Sequence, residues 1–117
     1  MQEEESLARK IYLAKKEWCL LDKEASILEL KRKSIISQWI LEVKAQDYKK
    51  PLSLIEHEVR ASTEYMHYID NMIHARTQAN LKMAEVDGIK ERIREIEREN
   101  IKNAMEIKYN NSNGFGG

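Results

Sequence analysis

The residues best spaced for metal chemistry are two histidines and a carboxylate. His67 and His74 are seven residues apart with Asp70 between them, so all three share one side of a helix. Residues 64–67 read Glu-Tyr-Met-His, which matches the Glu-x-x-His spacing of di-iron helical bundles. Such a centre needs a second Glu-x-x-His and two further carboxylates, and the sequence contains no second copy. We therefore predict no metal and interpret these residues as polar positions beside an apolar seam.

Nucleophilic and cofactor-dependent chemistry are not indicated either. The single cysteine, Cys19, has no histidine within a few residues to activate its thiol, so we interpret it as a buried structural thiol. The sequence contains no Walker-type or dinucleotide-binding motif. We predict that the protein is not an enzyme and that it uses no cofactor.

Basic residues toward the end of the first helical stretch are the stronger candidates for binding. Cationic side chains with an aromatic ring beside them can follow a phosphate backbone and stack on a base. The alternative interpretation is a solvated charged face. The predicted nucleic-acid-binding residues are Lys31, Arg32, Lys33, Lys44, Tyr48, Lys49 and Lys50.

Composition favours long helices and excludes a membrane span. The 117 residues are 34% charged and 7% aromatic, with one proline and a formal net charge of zero. No apolar run approaches the roughly 20 residues that cross a bilayer. One cysteine suits a reducing compartment, and the acidic start is unlike a signal peptide. We expect a cytoplasmic protein, in the host cell if a phage encodes it.

Apolar spacing places a first helix at about residues 6–45. Its seam falls at alternating steps of three and four, which is typical of a packed helix. Only Arg32 interrupts the seam, whose other members are Leu7, Ile11, Ala14, Trp18, Leu21, Ala25, Leu28, Ile35 and Trp39.

Pro51 ends that stretch, and a short helix is predicted at about 54–60. Ser53 and Glu56 fit a capping box at its start. Ser62 or Thr63 could cap the next helix, so we expect a kink or short break at residues 61–63, although a continuous helix through Ser62 is also compatible with the sequence.

The long second run is predicted to be helical over about 63–108. Arg76 and Asn100 occupy seam-like positions, where a polar group often fixes register or oligomeric state. Alternatively, Arg76 pairs with Asp70 or Glu64 across an interface. Residues 110–117 lack apolar periodicity, and we predict a disordered tail there. The apolar seam of the long run consists of Tyr65, Ile69, Met72, Ala79, Met83, Val86, Ile89, Ile93 and Ile96.

Two helices of similar length with a short joint predict an all-α fold, a long antiparallel, coiled-coil-like hairpin forming one domain over residues 1–109. A second apolar stripe lies beside the seam of the first helix and consists of Leu13, Leu20 and Ile27. Together the seam and this stripe form an apolar face wider than one neighbouring helix requires. We therefore predict that hairpins assemble into a homo-oligomer. The predicted interface residues are Leu13, Trp18, Leu20, Ile27 and Trp39.

Residues 51–62 (PLSLIEHEVRAS), 64–65 (EY), 68–69 (YI) and 75–80 (ARTQAN) resemble small helical proteins encoded by bacteriophages. The layout of long helix, joint and long helix is similar to that of phage recombination mediator proteins, which form rings and help to load a recombinase on single-stranded DNA. The resemblance implies an oligomer that contacts single-stranded DNA and a partner protein during recombination or replication. The net charge of zero departs from that pattern. The alternative expectation is a coiled-coil adaptor, chaperone or host-defence inhibitor that binds only proteins.

Overall fold

Three helices make up the computed structural model, which describes the backbone of residues 2–115 and the side chains of residues 2, 3 and 5–111. Helix α1 spans Gln2–Gln46, α2 spans Leu52–Arg60 and α3 spans Thr63–Phe115, and no strand occurs in this range. The predicted all-α hairpin with a short helix in its joint is confirmed. The assembly of hairpins into an oligomer stays a prediction.

The chain forms two compact units. The joint unit is Glu17–Leu81 and contains the end of α1, all of α2 and the start of α3. The terminal unit consists of the described parts of Met1–Lys16 and Lys82–Gly117.

Helices α1 and α3 run antiparallel in the joint unit. Asp22 contacts Arg76, and further along α1 the Leu28 carbonyl accepts a hydrogen bond from Tyr68. Beyond it, the Nε of Arg32 donates to the hydroxyl of Tyr65 at 3.1 Å. As the chain number rises on α1 it falls on α3, which defines a hairpin.

The core of the joint unit forms where all three helices meet. Ile55 and Val59, spaced four apart on α2, are buried against α1 and α3. This spacing gives the short helix the apolar face that its nine residues need to be stable in this setting. The cluster consists of buried Ile36, Ile55, Val59 and Tyr65, with partly buried Trp39, Ile40, Val43 and Ile69 packed against it.

The start of α2 differs from the predicted capping box. The helix begins at Leu52 with Pro51 as N-cap, in extended conformation and with no side-chain cap. The Pro51 carbonyl accepts hydrogen bonds from the amides of Leu54 and Ile55. Because proline presets this geometry, the helix starts before Ser53, and the predicted Ser53–Glu56 capping box is wrong.

The break before α3 is confirmed, and its cap is Ser62. The Ser62 hydroxyl accepts a hydrogen bond from the Tyr65 amide at 3.2 Å and donates to the Val59 carbonyl at 2.6 Å. One side chain therefore ties the end of α2 to the start of α3. A continuous helix through this point is excluded.

Ala14, Val86 and Ile96 are buried in the terminal unit, as the seam predicts for Val86 and Ile96 in α3 and for Ala14 in α1. Arg92 reaches from α3 to Glu3 on α1, at 2.9 Å. Beyond Ile96, every residue from 97 to 111 is exposed, so Asn100 lies outside the packed seam.

The C-terminal helix is longer than predicted. Residues 110–115 are helical, whereas the sequence predicted a disordered tail from Asn110. No proline interrupts this stretch, and adding residues to an existing helix needs no new nucleus. Residues 116–117 of the predicted tail lie outside the described part.

Candidate nucleic-acid and self-association surfaces

Arg76 is bound by three side chains of α1 rather than by Asp70 or Glu64. Its Nη1 donates to Asp22 at 2.7 Å, and its Nη2 donates to Glu29 at 2.6 Å. Its Nη2 also lies 3.2 Å from the Ser26 hydroxyl. Arg76 therefore pairs with carboxylates, as the alternative interpretation expected, but with Asp22 and Glu29 of α1 in place of Asp70 or Glu64.

These contacts shift the pKa values of Glu29 and Arg76. The hydrogen bond from Arg76 holds the pKa of Glu29 below its ordinary value, and the Glu29 and Asp22 carboxylates raise the pKa of Arg76. Ala75, which the sequence reasoning missed, is buried beside it in the seam. The small Ala75 side chain packs in the seam, and the neighbouring Arg76 extends from the edge of the seam to the carboxylates of α1. The cluster therefore joins α1 to α3, and its ion pairs leave no carboxylate poised for chemistry.

Two of the predicted nucleic-acid-binding lysines have structural partners. The Nζ of Lys44 donates to the carbonyls of Tyr48 and Lys50, both at 2.8 Å, and so closes the turn after α1. Lys50 pairs with Glu58 at 2.7 Å, which raises the pKa of Lys50. Neither cation is available to a ligand without breaking these contacts.

Tyr48 and Lys49, at the same turn, are exposed to solvent. Tyr48 is 74% exposed, and the Lys49 Nζ lies 6.0 Å from the centre of its ring. An exposed aromatic face with a cation beside it is the combination that stacks on an unpaired base and contacts its phosphate.

The remaining predicted cations lie on α1, and the structure adds one that the sequence reasoning missed. Lys31, Arg32 and Lys33 are exposed. Arg60, the last residue of α2, joins Arg32, Lys33 and Ile36 around a cavity of about 230 Å³. Arg60 is a single arginine on a separate short helix, and no spacing pattern in the sequence places it beside Arg32 and Lys33.

Of the predicted interface residues, three leave their side chains in solvent. Leu13, Leu20 and Ile27 are 46%, 64% and 39% exposed. Trp18 is half-buried. Trp39 packs on the core of the joint unit with its ring edge-on to Tyr65, at 6.5 Å between ring centres. Trp39 therefore has a partner within the chain.

A second cavity, of about 290 Å³, opens beside Trp39. Two of its carboxylates already accept hydrogen bonds, Glu42 from Gln38 and Glu58 from Lys50. The cavity is lined by Trp39, Glu42, Val43, Glu58, Val59, Ser62 and Glu64.

His67, Asp70 and His74 are exposed on α3. Cys19 is exposed on α1, so its predicted burial is wrong, because it follows the seam residue Trp18 and lies outside the packed seam. Across the described residues, no three His, Cys, Asp or Glu side chains come together as a metal site would require. None of the helices, over their described lengths, has a segment long and apolar enough to cross a membrane. Comparisons of this chain with protein-family models, curated proteins and solved structures gave no match.

Proposed function

We propose that this chain is a self-associating helical protein that acts as an adaptor, through protein–protein contacts along the outer face of α1. The observation that carries the proposal is the exposed apolar stripe at seven-residue spacing, of which Leu20 and Ile27 belong to the joint unit. Burying one such side chain contributes about 1.5–3 kcal/mol, so water is a poor environment for this face.

The charges beside the stripe favour a second copy of the chain as its occupant. Lys23 lies three residues after Leu20 and Glu24 lies four after it, so the two charges flank the stripe on opposite sides. When two such faces meet in parallel around a two-fold axis, the lysine side of each faces the glutamate side of the other. An antiparallel arrangement would place like charges together, so we expect a parallel pairing.

Light scattering tests this proposal. We expect a mass well above the 13.8 kDa of one chain at micromolar concentration. Leu20→Lys with Ile27→Lys should reduce it to that of one chain without loss of helical circular dichroism. The matched control is Ile73→Lys, an exposed apolar residue on α3, which should leave the mass unchanged. A wild-type protein that is monomeric at this concentration contradicts the proposal.

Single-stranded DNA binding is the second candidate, and the exposed Tyr48 with the Lys49 Nζ over its ring supports it. This candidate retains the expected role of an accessory protein in recombination or replication. A self-associated particle would present the turn once in each copy, and multivalency would raise a weak affinity.

Fluorescence anisotropy with an oligothymidylate at two salt concentrations tests the second candidate. Tyr48→Ala should weaken binding at both, because stacking depends little on salt. Lys49→Gln should weaken it mainly at low salt, because its contribution is electrostatic. If both variants bind the oligonucleotide as tightly as the wild type, the turn is not the DNA contact. If the wild type does not bind even at low salt, only the protein–protein role remains.

A further inference from the structure

Three cations converge on one notch of the joint unit. Arg32 and Lys33 come from α1 and Arg60 comes from the end of α2, with Ile36 as the apolar floor. The cavity of about 230 Å³ is smaller than the roughly 300–1,000 Å³ of pockets that hold drug-sized ligands. Its size suits one small group and its surrounding water.

The guanidinium of Arg32 is positioned by the fold. Its Nε donates to the Tyr65 hydroxyl at 3.1 Å, and Tyr65 is buried in the core. Within the described part of the chain, its two terminal nitrogens have no hydrogen-bond partner. A guanidinium fixed through Nε with its terminal nitrogens free is suited to a tetrahedral oxyanion.

In the part of the chain that the structure describes, no carboxylate contacts the cations of this notch closely enough to form an ion pair. Among the residues described, no ion pair involves Arg32, Lys33 or Arg60. Glu29, one turn before Lys33 on α1, is instead bound by Arg76. Three like charges gathered without a counter-charge repel one another, and an anion between them removes that repulsion.

We infer that Arg32, Lys33 and Arg60 form a binding site for a phosphate group. When the phosphate belongs to single-stranded DNA, this inference rests on the second candidate function. In that case the notch binds a phosphate of the DNA backbone and Tyr48 stacks on a base. A free phosphate or a phosphorylated small molecule offers the same oxyanion. Arginine and lysine supply the donors that phosphate oxygens accept, and no base-sized pocket is needed.

The test combines Lys33→Gln with Arg60→Gln and leaves Arg32 in place because of its bond to Tyr65. The matched control, Lys15→Gln with Lys102→Gln, removes the same charge from exposed positions outside the notch and outside the proposed charge pairing of Lys23 with Glu24. Circular dichroism establishes that both variants fold. The probes are a labelled oligothymidylate, followed by anisotropy, and sodium pyrophosphate, followed by the rise in melting temperature.

If the notch holds a backbone phosphate, the Lys33/Arg60 variant binds the oligonucleotide less tightly by about two- to fivefold per charge removed. Its plot of log affinity against log salt becomes shallower by roughly 0.7 for each phosphate that the variant no longer neutralises. The control changes both quantities less. A different result would be that pyrophosphate stabilises the wild type but not the Lys33/Arg60 variant, and that neither protein binds the oligonucleotide. The notch is then a binding site for a small phosphate compound, and the DNA-binding candidate is excluded.

Two results overturn the inference. One is oligonucleotide binding that the Lys33/Arg60 variant retains as well as the control does, which would leave DNA binding intact and place it elsewhere. The other is the absence of any stabilisation by pyrophosphate together with the absence of oligonucleotide binding.

Discussion

The joint unit and the terminal unit use the same two long helices but hold them together by different contacts. In the joint unit, α2 inserts Ile55 and Val59 into a core shared with α1 and α3. In the terminal unit there are two helices, and several ion pairs lie within α3, such as Glu91 with Arg94 and Arg98. Pairs within one helix add only about 0.2–0.5 kcal/mol each and do not fix a neighbouring helix. We therefore expect the third helix to make the joint unit the more stable of the two.

Truncating one buried isoleucine in each unit gives the largest expected difference. Ile55→Ala should lower the free energy of unfolding by about 2–5 kcal/mol, because three helices surround the cavity it leaves. Ile96→Ala should cost less, since a two-helix seam can close over the gap or admit water. Urea denaturation measures both. Equal losses would show that α2 adds no special packing.

Acid should weaken the Arg76 cluster selectively. The pKa of Glu29 is lowered in the folded state, so its contribution to stability is present above the ordinary pKa of a glutamate. That contribution is lost as the pH falls through the lowered, folded-state pKa. Arg76→Gln should therefore destabilise at neutral pH, and the gap between variant and wild type should narrow on acidification. Melting curves from neutral pH to pH values below the glutamate range measure this gap. A gap that stays constant with pH contradicts the assigned pairing.

Arg92→Gln is the matched change in the terminal unit. The pKa of Arg92 is raised mainly by its hydrogen bond to Glu3, yet about half of each side chain is in solvent. We expect a smaller loss that added salt abolishes.

The two serines near the joint should differ in a measurable way. Ser62→Ala removes the N-cap of α3 and should cost about 1 kcal/mol. Ser53→Ala removes no cap and should stay within about 0.5 kcal/mol of wild type. Chemical denaturation of both variants compares them. A larger loss at Ser53 would restore the capping box that the structure replaces with Pro51.

Deleting residues 110–117 should have the smallest effect. The described side chains from 97 to 111 are exposed, and residues 110–117 lack apolar periodicity, so we expect their removal to open no core. The melting temperature and the particle mass should both stay at the wild-type values. A fall of several degrees would mean that the end of α3 packs against a partner.

The architecture was predictable because apolar spacing determines which face of each helix packs. Tyr65, Ala79, Val86 and Ile96 were placed in the seam and are buried. Ala75 was missed because alanine gives a weak apolar signal beside Arg76.

The candidate site was less predictable, because its contacts join residues far apart in the chain. The pairing of Arg76 with Asp22 and Glu29 depends on the register between α1 and α3, which spacing along one helix does not determine. Arg60 reaches its notch only because α2 folds back on α1. Lys44 was among the predicted nucleic-acid-binding residues, and its bonds to the turn carbonyls were not predictable because local spacing does not determine the path of the turn.

Native-state hydrogen exchange tests the central difference between the two units most directly. Amides with buried neighbours in a cooperative core exchange only on global unfolding, whereas weakly packed helices open locally. We expect the slowest exchange at Ile36, at Ile55 and Val59, and over residues 65–79, with progressively faster exchange from residue 82 and the fastest over 97–111. Protection in the terminal unit equal to or greater than that of the joint unit would contradict this account.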